Sequence, residues 1–234
     1  VFAGDVGSDA LNRLLLQANL PWQAVDMLRA YHGYATQLGF YYTLDRVQDI
    51  MLSKSEMVGL LWAYFTARFD PDLQGDRAEI MAAAAEAFED ALRNLEAHDQ
   101  DMVFRTFYNL IQSSIRTNFY RTDRKFHYLS FKIRCADVTN MPSPRMMFEI
   151  YVHHRDMEGV HLRGGKVARG GIRWSDRTDF RREVLDLVAT QMIKNVLIVP
   201  VGAKGGFVLR NPPTERDALR KAGRQKSYRD TVLY

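Results

Sequence analysis

Cysteine is almost missing from this sequence: Cys135 stands alone in 234 residues, so no internal disulfide can form. Beside ten methionines, a lone thiol fits a reducing compartment, and a cytoplasmic location is expected. Long apolar runs are missing too. No stretch of about 18 apolar residues occurs, so the pattern of a membrane-spanning helix is absent and no membrane partner is expected. Two phosphate-binding patterns also fail. A P-loop needs Gly-Lys followed by Ser or Thr, whereas Lys204 follows Ala203 and precedes Gly205. Nowhere do glycines take the first, third and sixth positions of a turn between a strand and a helix, so no dinucleotide site is assigned in this chain. The six histidines, His153-His154 included, lack any spacing with Cys or carboxylates that points to zinc, and no metal is assigned. A start at Val1-Phe2-Ala3-Gly4 leads us to expect an excerpt of a longer polypeptide.

An apolar content of 47% is enough for a substantial core in one large or two modest domains. The net charge of +4 hides an asymmetry. Residues 161 to 234 carry 16 Lys or Arg against 7 Asp or Glu, and the remainder 16 against 21. A locally basic third attracts carboxylates, phosphates or nucleic acid alike, because clustered cations steer any anion.

Up to about residue 120 the apolar spacing is helical. Ser8-Asp9 caps a first helix before Leu11, and Pro21 opens a second that Gly39 ends. Helices follow near 43 to 54, 55 to 67, 77 to 95 and 101 to 119, the one over 77 to 95 with Ile80, Ala84, Phe88, Ala91 and Leu95 as its stripe. Then the period changes. His127-Tyr-Leu-Ser-Phe-Lys-Ile-Arg134 and Met147-Phe-Glu-Ile-Tyr-Val152 alternate as half-buried strands do. A helix near 178 to 193 leads into Val196-Leu-Ile-Val199, a short strand buried on both faces. A further strand ends at Pro212-Pro213, and Thr214-Glu215 begins a last helix. The expected fold is α/β: a helical segment over 1–122, then a layered αβ domain with a mixed sheet over 123–234, incomplete at its C-terminus.

Glycines gather in two runs that each include a cation: Gly164-Gly165-Lys166-Val167-Ala168-Arg169-Gly170-Gly171-Ile172-Arg173, and Pro200-Val201-Gly202-Ala203-Lys204-Gly205-Gly206. Paired glycines permit positive φ and a close approach of backbone N–H groups to an anion. They equally serve as hairpin or strand-end turns with solvated cations beside them. The residues by themselves leave both open. Trp174 is expected in the core, Cys135 buried and inert, and Arg173, Arg177, Arg181 and Arg182 in exposed ion pairs.

Three ordered blocks carry a more specific signal: Gly170-Gly171-Ile172-Arg173, then Gln191-Met192-Ile193-Lys194-Asn195 at a helix end, then Pro200 to Gly206. Together they resemble the substrate-domain signature of glutamate dehydrogenases. The flanking text from His161 through Arg173-Trp174-Ser175-Asp176-Arg177 to Phe207, and Leu28-Arg-Ala-Tyr31 and Arg68-Phe-Asp-Pro71 earlier, resemble the large bacterial NAD-specific class. That resemblance implies oxidative deamination of L-glutamate to 2-oxoglutarate and ammonia by a cytoplasmic homo-oligomer active in amino acid catabolism. It implies Lys204 as the catalytic lysine. Arg169, with Gly170 and Gly171, stands where the family's lysine holds the side-chain carboxylate of glutamate. Gln191 and Lys194 stand where the α-carboxylate is bound. Arg169 departs from the family's lysine, and one glycine precedes Lys204 where short members have two. NAD would be bound by a nucleotide-binding Rossmann domain outside this chain, so the fragment by itself is expected to be inactive. The alternative is a non-catalytic basic module that binds nucleic acid or polyphosphate.

Overall fold

Local sequence sets where the helices of the first half start and stop. The computed structural model describes residues 6–123, 126–166, 170–194 and 202–210, with only the backbone given for residues 191–194. Asp9 accepts a hydrogen bond from the Leu11 N–H at 2.9 Å and caps a short 3-10 turn, Ala10–Arg13, that runs into α1, Leu14–Gln17. Pro21 precedes α2, Trp22–Gln37, where its missing N–H costs nothing. Gly39 ends that helix at φ +95°, a conformation that side chains with a Cβ avoid, and lets Phe40 N–H bond back to Ala35 O at 3.0 Å. Thr43 caps α3, Leu44–Ser53, and α4 follows over Ser55–Phe69. Asp76 accepts from the N–H groups of Ala78 and Glu79 to cap α5, Arg77–Arg93, before α6, His98–Ser113.

The chain divides into two compact units, Val1–Gln112 with Thr117–Arg124, and Ser113–Arg116 with Lys125–Tyr234. In the first, α2 is buried almost all round, with Tyr31 and Tyr34 fully enclosed. Its Arg29 is tied to Asp9 at 2.7 and 2.8 Å and to Asn12 at 2.8 Å, which fastens the N-terminal turn to the helix. On α5 only Phe88 and Leu92 are buried. The expected stripe through Ala91 and Leu95 is therefore corrected to Leu92, four residues beyond Phe88 and still inside the helix. Phe88 stacks on Tyr108 of α6 with centroids 4.5 Å apart.

The expected helix from 101 to 119 stops early. β1, Ser114–Thr117, takes over where Ser113-Ser114 weakens the helix and Ile115 and Thr117 add β-branches suited to a strand. Then come β2, Leu129–Arg134, β3, Phe148–His154, β4, Met157–Arg163, β5, Ile172–Trp174, α7, Phe180–Lys194, and β6, Ala203–Leu209. The six strands form one mixed sheet in the order β1-β2-β3-β4-β6-β5. β2, β3, β4 and β6 pair antiparallel, and β5 runs parallel to β6. The fold is thus α/β with a helical N-terminal part. Val196–Val199, Pro212-Pro213 and the helix expected from Thr214 lie outside the described residues.

Register shows which face α7 covers. Lys204 and Gly206 share one side of β6, opposite Leu162 and Val160 of β4. A Cβ placed on Gly206 would meet Val184 Cγ2 of α7 at 2.3 Å, so this is the helix side. Val184 is buried and, being β-branched, nearly fixed at χ1 in a helix, so it has no way to swing clear. Gly206→Ala is expected to destabilise the fold by about 1–3 kcal/mol through overpacking. Denaturant melts would measure this, and a double-mutant cycle with Val184→Ala should show coupling. Additive losses would mean that the cost of the new methyl group does not arise against Val184.

Candidate active site

Lys204 is the second residue of β6 and is half-buried. Across the sheet it continues the row Ile133, Glu149, Leu162, Lys204, which the α7 side covers. The strand pairing fixes its neighbours. Ile172 of β5 lies opposite Gly205, and the Gly205 N–H donates to Gly171 O at 3.0 Å. Gly170 backs onto β6 so closely that an added Cβ would fall 1.4 Å from Ala203 O. Gly170, Gly171 and Lys204 therefore meet at one end of the sheet. The Gly164 N–H, donating to Gly202 O at 3.1 Å, ties the loop after β4 to the same end.

A parallel pair requires a crossover, since the chain must return to the end where the next strand begins. α7 is that crossover. Its last turn, with Gln191 and Lys194, is delivered toward the end of the sheet where β6 starts and Lys204 stands. Arg169 lies outside the described residues, as do the side chains of Gln191 and Lys194.

One glycine pair acts differently from either expectation. Gly205 and Gly206 sit inside β6 in extended backbone, so they make neither a turn nor a positive-φ anion cradle. They are required for close packing: beyond the Val184 clash at Gly206, a Cβ on Gly205 would press on Ile172 Cγ1 at 3.0 Å and His161 Cδ2 at 3.1 Å.

Two family models match this chain. One, described as bacterial NAD-glutamate dehydrogenase, catalytic domain, spans residues 87–233, and the other, glutamate dehydrogenase, helical motif 3, spans residues 6–71. The chain belongs to the bacterial NAD-glutamate dehydrogenase family. The NAD-specific glutamate dehydrogenase of Halomonas elongata is 42% identical over 229 residues, covering 95% of this chain. Those of Pseudomonas aeruginosa and Mycobacterium tuberculosis are each 41% identical, covering 91% and 95% of it. The chain spans 14% of the length of each of these relatives.

Within this segment of the family's catalytic domain, titratable groups with shifted pKa values lie on both faces of the sheet. On the face away from α7, Lys132 Nζ lies 4.4 Å from the centre of the Phe148 ring. Burial and then the charges of Arg116 and Arg163 push its pKa down. His161, on the same face, is likewise lowered, first by burial and then by Arg163. On the α7 face, Glu158 is held below the usual carboxylate range: burial opposes ionisation, but Arg210 and His153 outweigh it.

Several further expectations need correction. Arg181 is buried, not exposed, because Glu149 supplies an internal partner. Trp174 is half-buried, since β5 is the edge strand among the described residues. Arg173 and Arg177 do form exposed pairs, with Glu183 and Asp179 at 2.9 Å. Cys135 is fully buried, and burial, reinforced by the Glu149 charge, pushes its thiol pKa up, away from the reactive thiolate. A shallow cavity of about 200 Å³ on the outer flank of α7 is lined by Arg177, Arg182, Glu183, Asp186, Leu187 and Thr190. It includes none of the residues expected at the site, and we assign it no part in the chemistry. Among the described residues no group of three His, Cys, Asp or Glu side chains is placed to hold a metal. The connection from β5 to α7, residues 175–179, contains no glycine. It does not fit a dinucleotide pyrophosphate.

Proposed function

We propose that this chain is the substrate-binding and catalytic-lysine portion of an NAD-dependent enzyme that oxidises L-glutamate to 2-oxoglutarate and ammonia. The observation that carries the reading is the meeting of Gly170-Gly171 with Lys204 through the β5–β6 pairing, in a chain of this family. The return of α7 to the same end of the sheet adds to it.

Glutamate has two carboxylates, and two cationic sites at fixed separation select its length and aim its Cα–H. In this reading Arg169, beside Gly170 and Gly171, grips the side-chain carboxylate with its planar fork, and Gln191 with Lys194 takes the α-carboxylate. NAD, held outside the described residues, supplies the hydride acceptor, and no residue here is assigned to hold it. Loss of hydride from Cα and of a proton from nitrogen leaves an imine. Water then adds to the imine carbon as one of its protons passes to the nitrogen, giving a carbinolamine, and the C–N bond breaks as the hydroxyl gives up its proton to form the C=O and the nitrogen takes a proton and leaves as ammonia. Lys204 is assigned both transfers, carrying a proton from the attacking water to the nitrogen and then one from the hydroxyl to the departing nitrogen. The same reading makes the enzyme cytoplasmic and homo-oligomeric, with L-glutamate and 2-oxoglutarate as its partners. Neither the family match nor the fold favours the nucleic-acid or polyphosphate module.

The test is an assay of the full-length polypeptide for NADH formation. L-glutamate is expected to support it and L-aspartate, one methylene shorter, to be strongly disfavoured. No glutamate-dependent reduction, together with polyphosphate binding that falls steeply with salt, would reverse the assignment in favour of the basic module.

A further inference from the structure

Arg181, the second residue of α7, is 2% exposed. Its Nε and Nη2 donate to the two carboxylate oxygens of Glu149 at 2.9 and 2.6 Å. Glu149 is fully buried in β3. The Cys135 thiol, also fully buried, is close enough to feel both charges. An enclosed ion pair is a poor source of stability, since an apolar pair of the same volume holds a core at least as well. What a bidentate fork adds is direction, because two parallel hydrogen bonds fix both rotation and distance.

That direction bears on the site. Glu149 lies in the same row as Lys204, two strands away, or about 9.6 Å at roughly 4.8 Å per strand. Along α7, Gln191 lies about 15 Å and Lys194 about 20 Å beyond Arg181, at roughly 1.5 Å per residue. Starting from one salt bridge, the sheet leads to Lys204 and the helix leads to the two residues assigned to the α-carboxylate. α7 is also tied by Val184 against Gly206, an apolar contact with no preferred direction along the helix axis, and by Glu183, which accepts from Ser175 Oγ at 2.5 Å and pairs with the largely exposed Arg173 of β5 at 2.9 Å.

We infer that the Arg181–Glu149 pair is a positioning clamp that sets the rotation and axial placement of α7 over the sheet, and with it the spacing between Gln191, Lys194 and Lys204. Its consequence for catalysis rests on the function proposed above; the clamp itself is a property of the fold. Arg181 and Glu149 touch no substrate and act through the helix.

The test uses the full-length enzyme carrying Arg181→Met with Glu149→Met, and separately Arg181→Lys, which keeps the charge but loses the fork. The double variant is expected to melt cooperatively near the wild-type temperature. Its kcat/KM for glutamate should nevertheless fall on the order of 100-fold, through KM for glutamate, with KM for NAD unchanged. Arg181→Lys is expected to shift the same constant in the same sense. Hydrogen exchange reads the clamp apart from activity: amides in the last turn of α7 should exchange faster in both variants, while β2, β3 and β4 stay protected. A wild-type KM for glutamate in a folded variant overturns the clamp, and so does unchanged exchange in α7. A wild-type enzyme that reduces no NAD with glutamate sinks the proposed function instead, and faster exchange in α7 would still support the clamp.

Discussion

Lys204→Met in the full-length enzyme is expected to lower kcat for glutamate oxidation by about 10²- to 10⁴-fold, the range that a positioned general acid–base group contributes, while KM for glutamate changes little. Methionine suits the test because Lys204 is half-buried beside the fully buried Leu162, so an unbranched apolar chain keeps the packing and removes only the amine. Lys204→Arg separates proton transfer from charge. Arginine retains the cation but does not release its proton near neutral pH, so a shuttle would be lost as completely as with methionine. If the arginine variant kept most of kcat, the role would be electrostatic and the proton-transfer assignment would fall. If the methionine variant raised KM and left kcat intact, Lys204 would be a substrate-binding residue and nothing more. Steady-state kinetics with a far-ultraviolet circular dichroism control distinguishes these outcomes.

What the sequence shows in advance divides along a physical line. Three helix ends in the first half are legible because their causes are local: Asp9, Pro21 and Gly39 each act within a few residues of where they stand. β2 and β3 are legible because alternation is local too. β1 is hidden since four residues directly after a helix leave the helical spacing little room to break. β4 escapes because Met157, Gly159, Val160 and Leu162 are buried on both faces, which erases alternation. Arg181 looks like a surface cation because its partner lies 32 residues away in sequence. At the site, residue types alone leave the glycines as either an anion cradle or turns. The resemblance supplies the candidate roles, and the requirement at Gly170, Gly205 and Gly206 for a bare Cα comes only from three-dimensional packing.

That packing makes Gly170→Ala the sharpest test of whether the start of β6 must stay where it is. The new methyl carbon would fall 1.4 Å from Ala203 O and 2.5 Å from Ala203 C, where contacts under 3.0 Å essentially never occur. The obstacle is backbone, so no side-chain rotation relieves it; the separation must open from 1.4 Å to at least 3.0 Å by moving chain. Ala203 directly precedes Lys204, so the displacement is passed to the group assigned to proton transfer. A misplacement of about 1 Å costs roughly 100-fold in rate, and Gly170→Ala is expected to lose at least that much in kcat/KM. The paired antiparallel core of β2, β3 and β4 is untouched by the clash, so the variant should still melt cooperatively. Gly171→Ala supplies the contrast. Its Cβ meets nothing within 4 Å, so it should leave β6 in place, and any loss there would report contact with substrate. Should Gly170→Ala retain wild-type kcat/KM, the chain at Gly170 can yield without moving Lys204, and the pairing of β5 with β6 would not be what holds the lysine in position.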